Sequence, residues 1–405
     1  MKNPYIAFTT IILFALNSLA LSLPKTFGVV PAPDGAYPGL NTAEGQNALL
    51  GLTTGQANTA VGWFSLKSNT EGSFNTALGA GTLLFSAGFE NTATGAGALL
   101  SNTTGSQNTV SGAFALFSNT SGSLNTANGD LALFSNTTGF QNTAIGDQAL
   151  YSNTTGGDNT AAGHAALFSN TEGDSNTATG ADALNGNTTG SENSAIGVAA
   201  LASNTTGSFN TAIGVQALVI NSTGNDNTAT GHWALLNNTG DNNTAIGSQA
   251  LFSNTTGGLN TANGLNALYS NVSGDSNTAV GDFALYSNTS GSGNVALGAG
   301  AGYNATTGLG NVYIGQGMSG VAGESNATYI SGIYDQAIDP DSFFMGVDVN
   351  HKLGTHAASG SGVRIKDVVE DHNKIVELEA TVAALTTQLK EQATRIERMN
   401  VALKQ

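Results

Sequence analysis

Asn142-Thr143-Ala144-Ile145-Gly146-Asp147-Gln148-Ala149-Leu150-Tyr151-Ser152-Asn153-Thr154-Thr155-Gly156-Gly157-Asp158 decides the fold, because the chain repeats it. Counting Asn142 as seat 1, equivalent Asn anchors run from Asn41 to Asn311, seventeen in all. Fourteen of the sixteen intervals are 17 residues and two are 16. So strict a phase is expected when each repeat is one turn of a stacked coil, because each turn packs only on its neighbours.

Gly fills seat 5 in every anchored turn (Gly146) and recurs three residues before each later anchor (Gly156). These two seats hold 33 of the 54 glycines, which marks them as corners where Gly supplies positive φ without steric cost. Seat 9 is Leu in fifteen of the sixteen complete turns (Leu150), Gly302 being the exception, and seat 8 is usually Ala. One large and one small apolar residue per turn describe a narrow, continuous core. Helical solenoids need periods above thirty residues, and two Gly per turn break a helix. The expectation is a mainly β fold: a parallel β-roll or β-solenoid of 17-residue turns, with two short strands per turn. Asn at seats 1 and 12 (Asn142, Asn153) should form stacked amide ladders. Seat 4 is mixed but often apolar (Ile145, Ile196, Ile213, Ile246), a half-apolar column that a partner could cover.

Composition narrows the function. Only 9% of residues are charged, against about 25% in ordinary domains. The net charge is −16, and between Asn41 and Ile330 Lys67 is the one basic residue against fifteen acids. Such a surface offers no cationic groove for nucleic acid. The chain has no Cys, which excludes disulfides, thiolate metal sites and thiol nucleophiles.

The flanks read differently. Lys2, the apolar stretch Tyr5–Leu16 and Ser18-Leu19-Ala20 give an export signal over 1–20, cleaved near Ala20. A Pro/Gly linker follows over 21–40, then the β-roll head at 41–332 and a connector at 333–367. Over 368–405 apolar residues repeat every seven: Val368, Ile375, Val382, Leu389, Ile396 and Leu403 at a, with Leu378, Leu385, Gln392 and Met399 at d. This spacing predicts a C-terminal α-helical coiled-coil stalk and a parallel oligomer, and leaves dimer against trimer open. No membrane anchor is expected in the mature chain.

Ala144-Ile145-Gly146, Ala195-Ile196-Gly197, Ala212-Ile213-Gly214 and Ala245-Ile246-Gly247, each with Asn before it and a coiled coil downstream, resemble the heads of trimeric autotransporter adhesins of the YadA-like family. The resemblance implies a left-handed parallel β-roll, a homotrimer, and attachment to surface glycans or matrix proteins from the cell surface or outer membrane. The turn here is longer than the family's usual repeat, and no barrel-forming strands follow the stalk. A second resemblance is to the auto-cleaving intramolecular chaperone of phage tail fibres. Ser361-Gly362-Val363-Arg364-Ile365-Lys366 matches its Ser-x-x-Arg-x-Lys start, which implies Ser361 as nucleophile and Lys366 as base; most of that domain is missing. A phage-type fibre remnant is therefore one alternative. An ice-binding solenoid is another, from the Thr ranks at seats 2, 13 and 14.

No cofactor or metal is expected, and no enzyme. His164 and His232 share seat 6 four turns apart, and Asp130, Asp147 and Asp282 sit there without a calcium-binding nonapeptide. Asn102, Asn136, Asn153, Asn204 and Asn254 start glycosylation tripeptides, better explained as turn chemistry. Aromatic residues at seat 10 (Phe117, Phe134, Tyr151, Phe168, Phe252, Tyr269, Tyr286) are expected to pack along the coil, with binding of sugar rings as the rival use.

Overall fold

The computed structural model describes residues 39–331, two strands further on, and helical residues at 377, 381–382 and 384–390. The chain divides after Ser331 into two units. Residues 1–38, Ser361, Lys366, Ile375, Leu378, Gln392, Ile396, Met399 and Leu403 lie outside the described residues.

The first unit is a parallel β-solenoid. Eighteen strands of three residues, from β1 (Thr42–Glu44) to β18 (Thr328–Ile330), form one sheet in which each strand pairs parallel with the next. Pairing is in register by seat. In β7 (Thr143–Ile145) and β8 (Thr160–Ala162), Thr143 faces Thr160 and Ala144 faces Ala161. Alternation along the strand sends seat 3 Ala inward and seats 2 and 4 outward. The two 16-residue turns keep this register, Thr76 against Thr92 and Thr228 against Thr244. The missing residue falls in the loop between seats 12 and 15, as in Asn238-Thr239-Gly240, so no ladder is displaced.

There is one strand per turn, where the sequence suggested two. Ala149 and Leu150 are both fully buried, and adjacent residues of an extended strand cannot both face one side. The chain resolves this by alternating the sign of φ. Gln148 and Leu150 stand at 56° and 52°, so seats 8 and 9 both turn inward. Every seat 9 Leu, from Leu49 to Leu285, has this left-handed conformation. A left-handed Leu costs about 1–2 kcal/mol and persists where its surroundings over-determine it. Here burial contributes about 1.5–3 kcal/mol per Leu. Backbone bonds add to this: Leu150 N–H donates to the Ala166 carbonyl at 2.9 Å and Ser152 N–H to that of Phe168 at 3.0 Å, both one turn on.

The two amide ladders form as expected. Asn142 donates its backbone N–H and its Nδ2 to Oδ1 of Asn125, at 3.0 and 3.2 Å. Asn153 Nδ2 donates to Oδ1 of Asn136 at 2.8 Å. Both side chains also donate to the carbonyl of Gly156, at 2.8 and 2.9 Å. The corner glycines differ in kind. Gly146 has φ 137° and stands so close to Gly163 that a Cβ would lie 2.4 Å from its carbonyl oxygen. At Gly156 the reason is space alone, since a Cβ would meet Gly173 O at 2.5 Å and Asn153 Oδ1 at 2.7 Å.

In the second unit β19 (Met345–Val347) and β20 (Leu353–Thr355) pair antiparallel. Val382, Leu385 and Leu389 lie on helix and are more than half exposed. No helix among the described residues is long and apolar enough to cross a membrane.

Candidate functional surfaces

The fold distributes its chemistry as columns parallel to the coil axis, because each seat stacks on itself every turn. On the strand side two outward columns run side by side, seat 2 mostly half-buried and seat 4 mostly exposed. Seat 2 is a rank of Thr from Thr42 to Thr278, interrupted by Ser194. Seat 4 carries the aliphatic groups, with Ile145 48%, Ile196 46% and Ile213 40% exposed. At the turns of Asn193 and Asn210 this apolar surface widens, since Val198 and Val215 at seat 6 are also exposed.

On the leucine side seat 10 forms two aromatic stacks. Phe117, Phe134, Tyr151 and Phe168 stand 5.1–5.2 Å apart between centroids and lie within 9° of parallel. Phe252, Tyr269, Tyr286 and Tyr303 form the second, at 5.0–5.2 Å. Tyr303 extends the stripe read from the sequence by one ring. Within each stack the ring faces are covered by neighbouring rings. A sugar, which binds to a ring face, is left mainly with the ring edges, since Phe114 packs on Phe117 and Trp233 on Phe252 at one end of each stack.

Seat 6 carries the titratable run. Asp130, Asp147 and His164 occupy consecutive turns, and His164 Nε2 lies 3.6 Å from Asp147 Oδ2. Burial first, and then the Asp147 carboxylate, push Asp130 above the usual carboxylate range. No group of three His, Asp or Glu that could hold a metal comes together among the described residues. The Asn residues that start glycosylation tripeptides at seat 12 are fully buried. Asn153 spends both Nδ2 hydrogens within the ladder, so the folded chain offers no amide there to a glycan.

The C-terminal end of the solenoid explains the missing Leu. Gly302 holds seat 9 of its turn, and Tyr313 replaces the seat 3 Ala of the next. A Cβ on Gly302 would meet the Tyr313 ring at 2.7 Å, so the Tyr ring, fully buried, occupies the volume a Leu would take. Tyr329 stacks on it at 5.6 Å and donates its hydroxyl to Glu324. Burial, and then the Glu324 charge, raise the Tyr313 phenol above its ordinary value. The pattern of seats marked Gly302 as the exception but held no sign that a Tyr eleven residues later would fill the gap.

No family model matches the chain, and no curated protein or solved structure matches it.

Proposed function

We propose that this is an exported, fibrous, adhesin-like protein that self-associates as a homotrimer and attaches to surface glycans or matrix proteins through its solenoid. The observation that carries this reading is the half-apolar column at seat 4, whose Ile145, Ile196, Ile213 and Ile246 are exposed in the single chain. Chains held parallel and in register would bring each such column against its own copy. The exposed apolar residues Val382, Leu385 and Leu389 are consistent with a helical stalk that sets that register. Repetition suits attachment, since like turns present many weak, equivalent contacts that add as avidity. An enzyme has no support from a surface of stacked columns.

Light scattering on the full chain tests the assembly, and a mass three times the 40.6 kDa of one chain is expected. Ile196→Asp with Ile213→Asp should release monomers that keep their β-type circular dichroism; a trimer unchanged by both would show that seat 4 is not the interface. Retention of the wild type on immobilised matrix proteins or glycans, lost on the monomeric variant, tests attachment.

A second reading, ice binding, has its own observation: the outward, half-buried to exposed Thr rank held in register at seat 2 beside the seat 4 aliphatics. Thermal hysteresis abolished by Thr143→Leu with Thr160→Leu would establish it, and its absence in the wild type would remove it.

A further inference from the structure

The second aromatic stack differs from the first in one chemical respect. Tyr269, Tyr286 and Tyr303 are three phenols on consecutive turns, with centroids 5.2 and 5.1 Å apart and rings within 11° of parallel. Tyr269 and Tyr286 are half-buried and Tyr303 is exposed, so small oxidants reach them. In the first stack Tyr151 stands between two Phe rings, Phe134 and Phe168. Among the described residues the remaining stacked Tyr pair, Tyr313 and Tyr329, has one ring fully buried at the end of the core.

We propose that Tyr269, Tyr286 and Tyr303 form an oxidative cross-linking site, at which a peroxide used by a peroxidase joins the phenols of neighbouring turns as dityrosine. Each phenol of a pair gives up one electron and one proton, leaving unpaired spin on the ring carbons ortho to oxygen. The two ortho carbons form a carbon–carbon bond, and loss of their hydrogens to the phenol oxygens restores both aromatic rings. The balance is two Tyr and one hydrogen peroxide giving one dityrosine and two waters. The rings must swing about their Cβ bonds for the ortho carbons to meet, and their partial exposure leaves room for this. The regular stacking holds the two partners adjacent before oxidation, which raises the effective concentration of one radical beside the next. In a chain with no Cys, this is a covalent staple that needs no thiol. Tyr286 is the shared partner, since both available pairs contain it.

The test treats the full chain with a haem peroxidase and hydrogen peroxide and follows dityrosine fluorescence. Residues 68–351 contain no Lys or Arg, so mapping uses cleavage before Asp275 and Asp282, which parts Tyr269 from Tyr286, and tandem fragmentation of the 282–334 peptide, which tells a Tyr286–Tyr303 link from a Tyr313–Tyr329 link. Expected are links at Tyr269–Tyr286 and Tyr286–Tyr303, each with loss of two hydrogens, in chains that keep monomer mobility on a denaturing gel. Tyr286→Phe preserves the stack, checked by circular dichroism, and should cut the yield at least tenfold. Phe134→Tyr places a second phenol beside Tyr151 and should create a new link there. The proposal falls if Tyr286→Phe couples as well as the wild type, if Phe134→Tyr adds no link, or if the links map to Tyr313–Tyr329 or only between chains.

Discussion

The strand side and the leucine side of each turn bury similar columns by opposite means. On the strand side the backbone is extended, one residue in three faces inward, and that residue is Ala in most turns, with Val110 and Tyr313 among the exceptions. Two outward columns are thereby left to solvent. On the leucine side the backbone alternates in handedness, Ala and Leu both face inward, and the interior is filled from there. The strand side is thus the outward-facing surface, cheap to vary, while the leucine side carries the core and its strain. Seat 4 varies among Ile, Val, Leu, Thr, Asn, Ala, Ser and Glu, whereas seat 9 admits one exception.

The sharpest way to break this comparison is at the corner between the two sides. Gly146→Ala forces a Cβ to within 2.4 Å of the Gly163 carbonyl oxygen at φ 137°. Strain and overpacking together should cost about 2–6 kcal/mol, read as loss of amide protection in the adjoining turns. Protection unchanged from the wild type would mean that the corner is looser than its geometry.

Next is the one turn where a strand-side residue does the work of the leucine side. Tyr313→Ala should cost about 3–5 kcal/mol, because it empties the volume beside Gly302. Gly302→Leu alone should be destabilising through collision with the ring, and Gly302 already has φ 65°, the sign a seat 9 Leu adopts. The double variant restores the repeat and should recover most of the loss. Additive effects in the thermal unfolding of the four proteins would sink the compensation.

A third test compares the sides directly. Leu150→Ala should cost about 2–5 kcal/mol. Ile145→Ala should cost within about 0.5 kcal/mol in an isolated chain, as an exposed position does. An Ile145 effect of the same size as the Leu150 effect, appearing only at concentrations where the chain associates, would place the seat 4 column in an interface. Between these lies Asn153→Ala, at about 1–3 kcal/mol, since it leaves neighbouring buried amides without a partner.

Much of this architecture was readable from spacing. The period, the Asn ladders and the glycine corners follow from residue types that recur at fixed seats, because stacking makes each seat its own neighbour. The handedness of the leucine side was not read, although its signal was present: adjacent buried Ala149 and Leu150 do not fit a strand. The reason for Gly156 also differs from the one its position suggests: its φ is not positive, and the seat needs Gly because a Cβ would meet the Gly173 carbonyl oxygen and Asn153 Oδ1. Tyr313 was out of reach, because its partner Gly302 lies on the other side of the coil and only the folded turn brings them together. The surfaces are legible as columns, but a column of Ile or Thr names no ligand.

The smallest expected effect concerns the seat 6 run. Asp130 titrates above its ordinary 3.8, through burial and then repulsion by Asp147, so the folded chain binds this proton more tightly than the unfolded chain does. Its unfavourable contribution is complete above the raised value and fades as pH falls through that value toward 3.8. Stability should therefore decline slightly as pH rises just above 3.8, the reverse of the behaviour of a carboxylate held by a cation. Because Asp130 is only partly desolvated and keeps most of its side chain in water, solvent screening limits the effect to about 0.2–0.5 kcal/mol. Asp130→Asn removes the charge and should flatten this part of the profile, raising stability at pH 7 by a few tenths of a kcal/mol. Hydrogen exchange of the Thr126–Asn128 and Thr143–Ile145 amides at pH 4 and pH 7, corrected for intrinsic rates, reads it locally. Steeper protection loss in Asp130→Asn than in the wild type would mean that Asp130 stabilises its turn, and that the outward strand-side corner carries more of the fold than its exposure indicates.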